Sequence, residues 1–194
     1  MTAAFDPATC LARIRSGDEA EARRFVEATA PLVAKIVRAY VPKHLDRAAC
    51  EQETYLRAFA RCDQYRSEAP LEHWLSRIAV RVCLDELRRR RRRPELRRSD
   101  LDDHEQVALD AAARDDSRST PAATAARELV EKLLTSLDPE DALIVRMLDM
   151  EERSTKEIAG LLGRTRTAVK VRAFRARRRL RAALDRLSSD RPLK

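Results

Sequence analysis

The chain has 194 residues and a formal net charge of +8, and only 4% of its residues are aromatic. With three glycines and abundant Ala, Leu, Arg and Glu, this composition is typical of helices, so we expect an all-α protein. The positive charge favours a polyanionic partner. Because no apolar run is long enough to span a membrane and no basic-then-hydrophobic leader opens the chain, we expect a cytoplasmic protein rather than an inserted or secreted one.

The amino-terminal part of the chain predicts three helices. The first covers residues 6 to about 28 and is loosened at Gly17. The second follows Pro31 and stops at Pro42, because proline disfavours the helix before it. The third runs from residue 47 to about 65. Its predicted inner positions are Cys50, Tyr55, Leu56, Phe59 and Cys62, and its outward positions are Gln52, Glu53 and Arg57.

A fourth helix follows a short polar connection, YRSEAPL, at residues 65–71. Its apolar stripe includes Trp74, which we place in the core. Its opposite stripe is basic and runs into an uninterrupted arginine run at residues 88–93. Such a run can be only a solubilising linker, but here it continues the face of an amphipathic helix. We therefore favour contact with nucleic acid. The basic stripe consists of His73, Arg77, Arg81 and Arg88.

The composition changes abruptly at Pro94, where acidic residues are followed by Ser, Thr and Pro. Residues 94–120 are therefore predicted to be a flexible acidic linker with little that could form a core. We expect two small helical domains on either side, at residues 1–93 and 121–187, and a frayed tail at residues 188–194. The four cysteines, Cys10, Cys50, Cys62 and Cys83, lack CxxC spacing and are read as reduced core residues rather than zinc ligands.

The second domain opens with two predicted supporting helices. One begins at Thr120 and Pro121, and the other is capped by Asp138 and Pro139. The predicted core positions are Ala125, Leu129, Val130, Leu133, Leu134 and Leu137 on the first helix and Leu143, Ile144, Met147 and Leu148 on the second.

Residues 154–184 read as a helix, a tight turn and a longer basic helix. Ser154 is placed to cap the first helix while Glu157 reaches back to it. Gly163 supplies the turn, and Thr165 caps the second helix. That helix has one apolar stripe and an opposite basic side, which is how a recognition helix presents itself to a major groove. The apolar stripe is Val169, Ala173, Ala176, Leu180, Leu184 and Leu187, and the outward side is Arg166, Thr167, Lys170, Val171, Phe174 and Arg178, flanked by Arg175, Arg177 and Arg181.

Catalysis is disfavoured, because the sequence has no clustered carboxylates, Gly-rich phosphate loop or nucleophile with its base. The three histidines, His44, His73 and His104, occur in unrelated contexts. A helix-turn-helix regulator that binds a promoter without polymerase remains an alternative. Such a regulator would use the amino-terminal domain to dimerise or to sense a signal.

The two helical modules together resemble a bacterial sigma factor of the extracytoplasmic-function subfamily. In the second module, STKEIAGLLGRTRTAVKVRAFRARRRLR is similar to the part of that family that reads the minus-thirty-five element. In the first, QETYLRAF is similar to the helix that docks on the polymerase clamp. YRSEAPLEHWLSRIAVRVCLDELRRRRRR resembles the loop and helix that capture and melt the minus-ten element. The resemblance implies a specificity subunit without cofactor or catalytic activity.

The resemblance also implies partners and residue roles. The implied partners are core RNA polymerase and promoter DNA. Many members also have an anti-sigma factor, although no residue here identifies one. The implied polymerase contacts are Gln52, Glu53 and Arg57. The implied minus-ten and melting residues are Tyr65, Arg66, Ser67, Glu68, Arg77, Arg81, Arg88 and Arg89. The implied upstream-element residues are Arg164, Arg166, Thr167, Lys170, Val171, Arg172, Phe174, Arg175 and Arg178.

The sequence departs from the family pattern at two sites. Ala48 and Ala49 stand where acidic residues commonly precede the docking glutamine, and Arg81 stands where an Asn is often found. The second departure predicts a minus-ten preference that differs from the commonest one.

Overall fold

The computed structural model describes residues 6–92 and 121–189, without the side chains of residues 121–124, 127, 128, 188 and 189. The described ranges are helical and contain no strand, so the all-α prediction is confirmed. The chain divides after Leu87 into two compact units. The predicted linker at residues 94–120 and most of the predicted tail lie outside the described residues.

The first unit is built from four helices, of which the last continues past the division. They are α1 (Pro7–Arg15), α2 (Glu19–Tyr40), α3 (Arg47–Phe59) and α4 (Leu71–Arg91), with a 3₁₀ turn at Cys62–Gln64 between α3 and α4. The second unit contains α5 (Pro121–Thr135), α6 (Pro139–Val145) extended by a π-helical turn at Arg146–Met150, α7 (Thr155–Leu162) and α8 (Arg166–Ser189).

Aspartate caps begin the first three helices. The Asp18 carboxylate accepts a hydrogen bond from the Glu21 backbone N–H at 3.1 Å, and the Asp46 carboxylate accepts one from Ala49 at 2.9 Å. Asp6 accepts from the backbone of the first turn of α1 in the same way. Each carboxylate thereby satisfies a backbone donor that the helix leaves without a partner.

The predicted helix boundary at Pro31 is wrong, because α2 runs through this proline from Glu19 to Tyr40. Pro31 is exposed, so the carbonyl that loses its helical donor there can be solvated. Phe25, Val33 and Val37 are fully buried on one face of α2, on both sides of the proline. Burial of that continuous face outweighs the local cost of an interior proline.

The core of the first unit surrounds Phe25, whose ring meets Phe59 edge to face with centroids 5.8 Å apart. Leu75 of α4 is also fully buried.

Two predictions for α3 are corrected. The helix ends at Phe59 rather than near residue 65, and Leu56, predicted to be in the core, is 56% exposed. Trp74 is only half-buried and packs against the Tyr65 ring at 5.5 Å.

The second unit has its core where α6, α7 and α8 meet. Ile144, Met147, Ile158 and Val169 have no exposed surface. A neighbouring cluster joins Leu134 and Leu137, from the carboxyl end of α5 and the residues just after it, to Val145 and Ala176. The apolar core covers a smaller part of α5 and α8 than predicted. Five side chains that periodicity placed inside are exposed. They are Ala125 and, each 40–42% exposed, Leu129, Val130, Leu184 and Leu187.

The cysteines are free thiols, as predicted. Cys10, Cys50 and Cys83 are buried and Cys62 is partly buried. Burial raises the pKa of the Cys83 thiol to about 12 and that of Cys10 to about 11. Both thiols therefore stay protonated near neutral pH and behave as small apolar core groups.

Replacing Pro31 with alanine should stabilise the first unit by about 1–3 kcal/mol, because alanine restores a backbone donor and removes the ring from the helix interior. Trp74, the sole tryptophan, lies in this unit and reports its unfolding in urea by fluorescence. Ala28→Pro, at an exposed interior position of the same helix, should destabilise by a similar amount. An unchanged or lowered midpoint for Pro31→Ala would contradict this account of α2.

Candidate nucleic-acid interface

The segment predicted to be a helix-turn-helix forms one, through the caps expected from its sequence. The Ser154 backbone N–H donates to the Glu157 carboxylate at 2.8 Å, and the Glu157 N–H donates to the Ser154 hydroxyl at 3.2 Å. Gly163 ends α7 in the left-handed conformation, at φ 63°. The Ala168 N–H then donates to the Thr165 hydroxyl at 3.1 Å and starts α8. These local contacts set the turn between the two helices.

A second set of contacts ties the turn to α6, and it was not predicted. Glu140, in the first turn of α6, is 1% exposed. The Arg164 guanidinium donates to both oxygens of its carboxylate, at 2.9 Å from Nε and 3.1 Å from Nη2. Because Arg164 directly follows the turn glycine, this bidentate bond fixes the turn against α6.

Arg172 of α8 is held by the same stretch of α6. Its Nη2 lies 3.3 Å from an oxygen of Asp138, the cap of α6. Its Nε lies 2.8 Å from Oδ1 of buried Asp141, without the alignment of a hydrogen bond. Arg179 reaches the other oxygen of Asp141 at 3.4 Å. We call Asp138, Glu140, Asp141, Arg164, Arg172 and Arg179 the α6 ion cluster.

The cluster keeps Glu140 ionised. Burial alone raises the pKa of this carboxyl, but the hydrogen bond from Arg164 and the charges of Arg172 and Arg164 outweigh it, and the pKa lies below its ordinary value. A charged Glu140 is therefore part of the folded state at neutral pH.

Apart from Arg186, whose Nε donates to the Ala182 carbonyl at 3.1 Å, the cations of α8 and its preceding turn fall into two groups. Arg164, Arg172, Arg177 and Arg179 are paired with carboxylates, Arg177 with Asp149. A second set is exposed and forms no ion pair within the part of the chain that the structure describes. That set is Arg166, Lys170, Arg175, Arg178 and Arg181, and we call it the free cations. Thr167, Val171 and Phe174 are exposed among them.

The sequence interpretation counted Arg88, Arg164 and Arg172 among the DNA-facing residues, whereas the structure places all three in ion pairs with carboxylates of α6. It also missed Glu140 and Asp141. Both acids follow a helix cap, where carboxylates are common because they favour the helix dipole. Their burial depends on partners at least 24 residues away, so no local pattern indicated it.

The loop at residues 65–70 in the first unit is closed by Tyr65, whose hydroxyl donates to the Ala69 carbonyl at 3.2 Å. Ser67 has a left-handed backbone, at φ 57°. Its neighbours Arg66 and Glu68 are exposed with it. On α4, Arg77 is exposed and Arg81 half-exposed, and neither forms an ion pair among the described residues. Arg88 and Arg89 lie in the last turn of α4, and the Arg88 guanidinium is paired with the Glu140 carboxylate.

The predicted polymerase-docking residues lie on α3. Gln52 is exposed and Glu53 is half-buried. Arg57 joins Glu53 to Asp85 of α4, with both N–O distances 2.7 Å. These bonds raise the pKa of the guanidinium, and the Asp85 hydrogen bond has the largest effect. Exposed Leu56 lies one turn from Gln52 and Glu53, so the surface has an apolar member that sequence periodicity placed in the core.

Both units match models of a known protein family. Residues 25–93 match Sigma-70 region 2, and residues 127–180 match Sigma-70 region 4. The chain belongs to the sigma-70 family. The sigma factor is 27% identical over 169 residues to the ECF RNA polymerase sigma-E factor of Escherichia coli K12, covering 85% of this chain and 87% of the relative. It is 33% identical over 138 residues to the ECF RNA polymerase sigma factor SigM of Mycobacterium tuberculosis, covering 71% of this chain and 64% of the relative.

These relatives place the sigma factor in the extracytoplasmic-function group, as the sequence motifs predicted. Among solved structures, CnrH in complex with the cytosolic domain of CnrY shares the fold, with a TM-score of 0.50 and 22% identity. That likeness covers 96% of this chain and all of the other.

Within residues 6–92 and 121–189, no group of three His, Cys, Asp or Glu residues could hold a metal ion. No helix in these ranges is long and apolar enough to cross a membrane.

Replacing Glu140 with glutamine should destabilise the second unit of the sigma factor by about 2–3 kcal/mol, because it removes a charged acceptor from a buried ion cluster. Native-state hydrogen exchange of α6 to α8 measures this change. Glu131→Gln, which breaks the more exposed pair with Arg146, should cost less than about 1 kcal/mol.

The effect of Glu140→Gln should depend on pH. Because the folded-state pKa of Glu140 lies below its unfolded value, its stabilisation is complete above the unfolded pKa of about 4.3. It is lost as the pH falls through the folded-state pKa. The difference between the wild type and the variant should therefore be constant near neutral pH and shrink in acid. A pH-independent difference would show that charge does not account for it.

Proposed function

We propose that this sigma factor binds core RNA polymerase in the cytoplasm and directs promoter-specific transcription initiation. Polymerase supplies the catalysis, so the protein is a specificity subunit and not an enzyme. One observation carries the proposal: a region 2 match and a region 4 match occur in one chain, and the region 4 helix presents free cations on its outer face. An anti-sigma factor, common in this family, is proposed as a further partner.

The free cations are proposed to have two roles at the upstream element, contact with base edges and contact with phosphate. Arg166 and Lys170 lie near the start of α8, where a helix in the major groove reaches base edges. Arg178 lies further along and is proposed to contact phosphate, which positions the helix without specifying sequence. Thr167, Val171, Phe174 and Arg175 complete the proposed surface. Arg164 and Arg172 act indirectly in this proposal, because their guanidinium groups hold the helix on α6.

Strand opening is assigned to the first unit. Unstacking a base costs a few kcal/mol, and a pocket that accepts the flipped base can offset that cost. Tyr65, Arg66, Ser67 and Glu68 are the proposed pocket loop. The separated strand would be held by arginines of α4, namely Arg77, Arg81 and Arg89. Arg88 acts indirectly in this proposal, because its guanidinium is paired with Glu140. Gln52, Glu53 and Arg57 are proposed to bind polymerase.

The alternative, a regulator that acts without polymerase, makes a different prediction about binding. Each unit offers a small surface, which supports only weak and salt-sensitive binding of roughly micromolar strength or worse. If polymerase holds both units on one promoter, the second contact becomes effectively intramolecular. Specific binding and strand opening should then appear together and only with polymerase.

Charge reversal of both Arg77 and Arg81 to Glu should abolish opening and leave association with polymerase intact. Opening is measured as permanganate-reactive thymines near the start site, with purified core polymerase and a promoter selected from a library. Arg23→Glu with Arg38→Glu changes the same net charge on exposed positions of α2 and should leave opening unchanged. Tight promoter binding by the free protein, with no gain in affinity or opening from polymerase, would establish the regulator instead.

Substitutions on α8 should separate specificity from general affinity. Arg166→Ala and Lys170→Ala should change which upstream elements are selected from a randomised library. Arg178→Ala should weaken binding evenly across sequences and lower the salt slope by about one. Unchanged promoter choice in both of the first two variants would mean that the reading face is assigned wrongly.

A further inference from the structure

Two large apolar side chains lie exposed in the middle of the basic face of α8. Phe174 is 69% exposed, the most of any large hydrophobic side chain among the described residues, and Val171 is 41% exposed. They are three residues apart on one helix, so they are neighbours on its surface. Full burial of a Phe side chain stabilises a fold by about 1.5–3 kcal/mol, which Phe174 largely forgoes. Folding therefore does not account for a Phe at this position.

The surroundings of the pair indicate what covers it. Thr167 lies one turn before Val171 on the same line of the helix, and Arg178 lies one turn after Phe174. Lys170 and Arg175 flank the pair. All four of these side chains are exposed, and none forms an ion pair in the part of the chain that the structure describes. An apolar pair surrounded by unpaired cations is complementary to a polyanion with an apolar group at its centre.

Duplex DNA offers such a group in its major groove. Each thymine presents a 5-methyl there, between phosphate backbones that attract the cations, and an apolar side chain can contact it. We propose that Val171 and Phe174 contact thymine methyl groups, so that the upstream element carries thymine where it faces the middle of α8. This inference rests on the proposed function, and it adds the class of base pair that these two positions select.

The proposed contact differs in kind from those of the neighbouring residues. Lys170 and Arg166 recognise hydrogen-bonding groups on a base edge and Thr167 has both a hydroxyl and a methyl group, whereas Val171 and Phe174 have no polar side-chain atoms. Discrimination by the apolar pair should therefore depend on the methyl group alone. A change that removes the methyl and keeps the hydrogen-bonding groups of the base should therefore measure this contact by itself.

The test replaces each thymine of the upstream element in turn with deoxyuridine. Deoxyuridine keeps the hydrogen-bonding groups of thymine and lacks only the methyl. The full-length sigma factor is used with core polymerase, on a promoter that this pair opens, at one fixed salt concentration. At one or more positions we expect deoxyuridine to weaken promoter binding about fourfold, the effect of removing one buried methyl group.

Variants of the apolar pair identify the side chain responsible. In Phe174→Ala or Val171→Ala, the thymine to deoxyuridine ratio at the sensitive position should fall to about one. Lys170→Ala is the matched control, because it should weaken binding to both templates and keep the ratio. Since Val171 and Phe174 are exposed, both variants should fold, which circular dichroism checks.

Each other outcome has a distinct meaning. A ratio of one at every thymine, on a promoter that still opens with polymerase, overturns this inference and leaves the proposed function standing. A ratio that survives in both alanine variants overturns it as well. If Phe174→Ala loses polymerase association and binds both templates equally weakly, the pair belongs to a protein contact and the inference is overturned. If no promoter is opened with polymerase, the proposed function itself fails.

Discussion

The placement of α8, the proposed DNA-reading helix of the second unit, depends in part on one buried carboxylate. Glu140 is almost fully removed from solvent, and a charge there is tolerable only when it is paired and hydrogen-bonded. Arg164 supplies a bidentate partner from the turn, and Arg172 adds charge from α8. The cost of leaving Glu140 without these partners therefore adds to the burial of Ile144 and Val169 in holding α8 on α6. Local caps begin and end the helices, but they do not set how the helices sit on each other.

The sequence was sufficient to predict those parts of the fold in which the contacting residues are close together in the chain. The capping box of Ser154 and Glu157 and the left-handed Gly163 were predictable because each contact closes within a few residues. Pro31 was misread because a local rule was outweighed by packing of the buried face of α2. Leu56 and Leu184 were misread for another reason. Periodicity identifies the apolar face of a helix but not how far its neighbours cover it.

The candidate site was predictable as a surface but not as a set of contacts. Spacing alone identified an outer face on α8, and Lys170, Phe174 and Arg178 are exposed there. Spacing did not show that Arg172, on the same helix, pairs with carboxylates 31 and 34 residues earlier in the chain. Which arginines are neutralised is a tertiary property. It can be read only after α6 and α8 are placed together.

The internal pairing of four arginines has a consequence for specificity. Every unpaired cation near DNA strengthens binding to any sequence, because it displaces counterions from phosphate whatever the bases are. Neutralising Arg164, Arg172, Arg177 and Arg179 within the protein lowers that general attraction while their side chains still brace the helix. The exposed outer face of α8 also includes an apolar pair, Val171 and Phe174. These side chains carry no charge and so add nothing to the attraction of phosphate. Under the proposed function, a protein with a net charge of +8 gains promoter selectivity from limiting the charge that α8 presents as well as from the bases that α8 contacts.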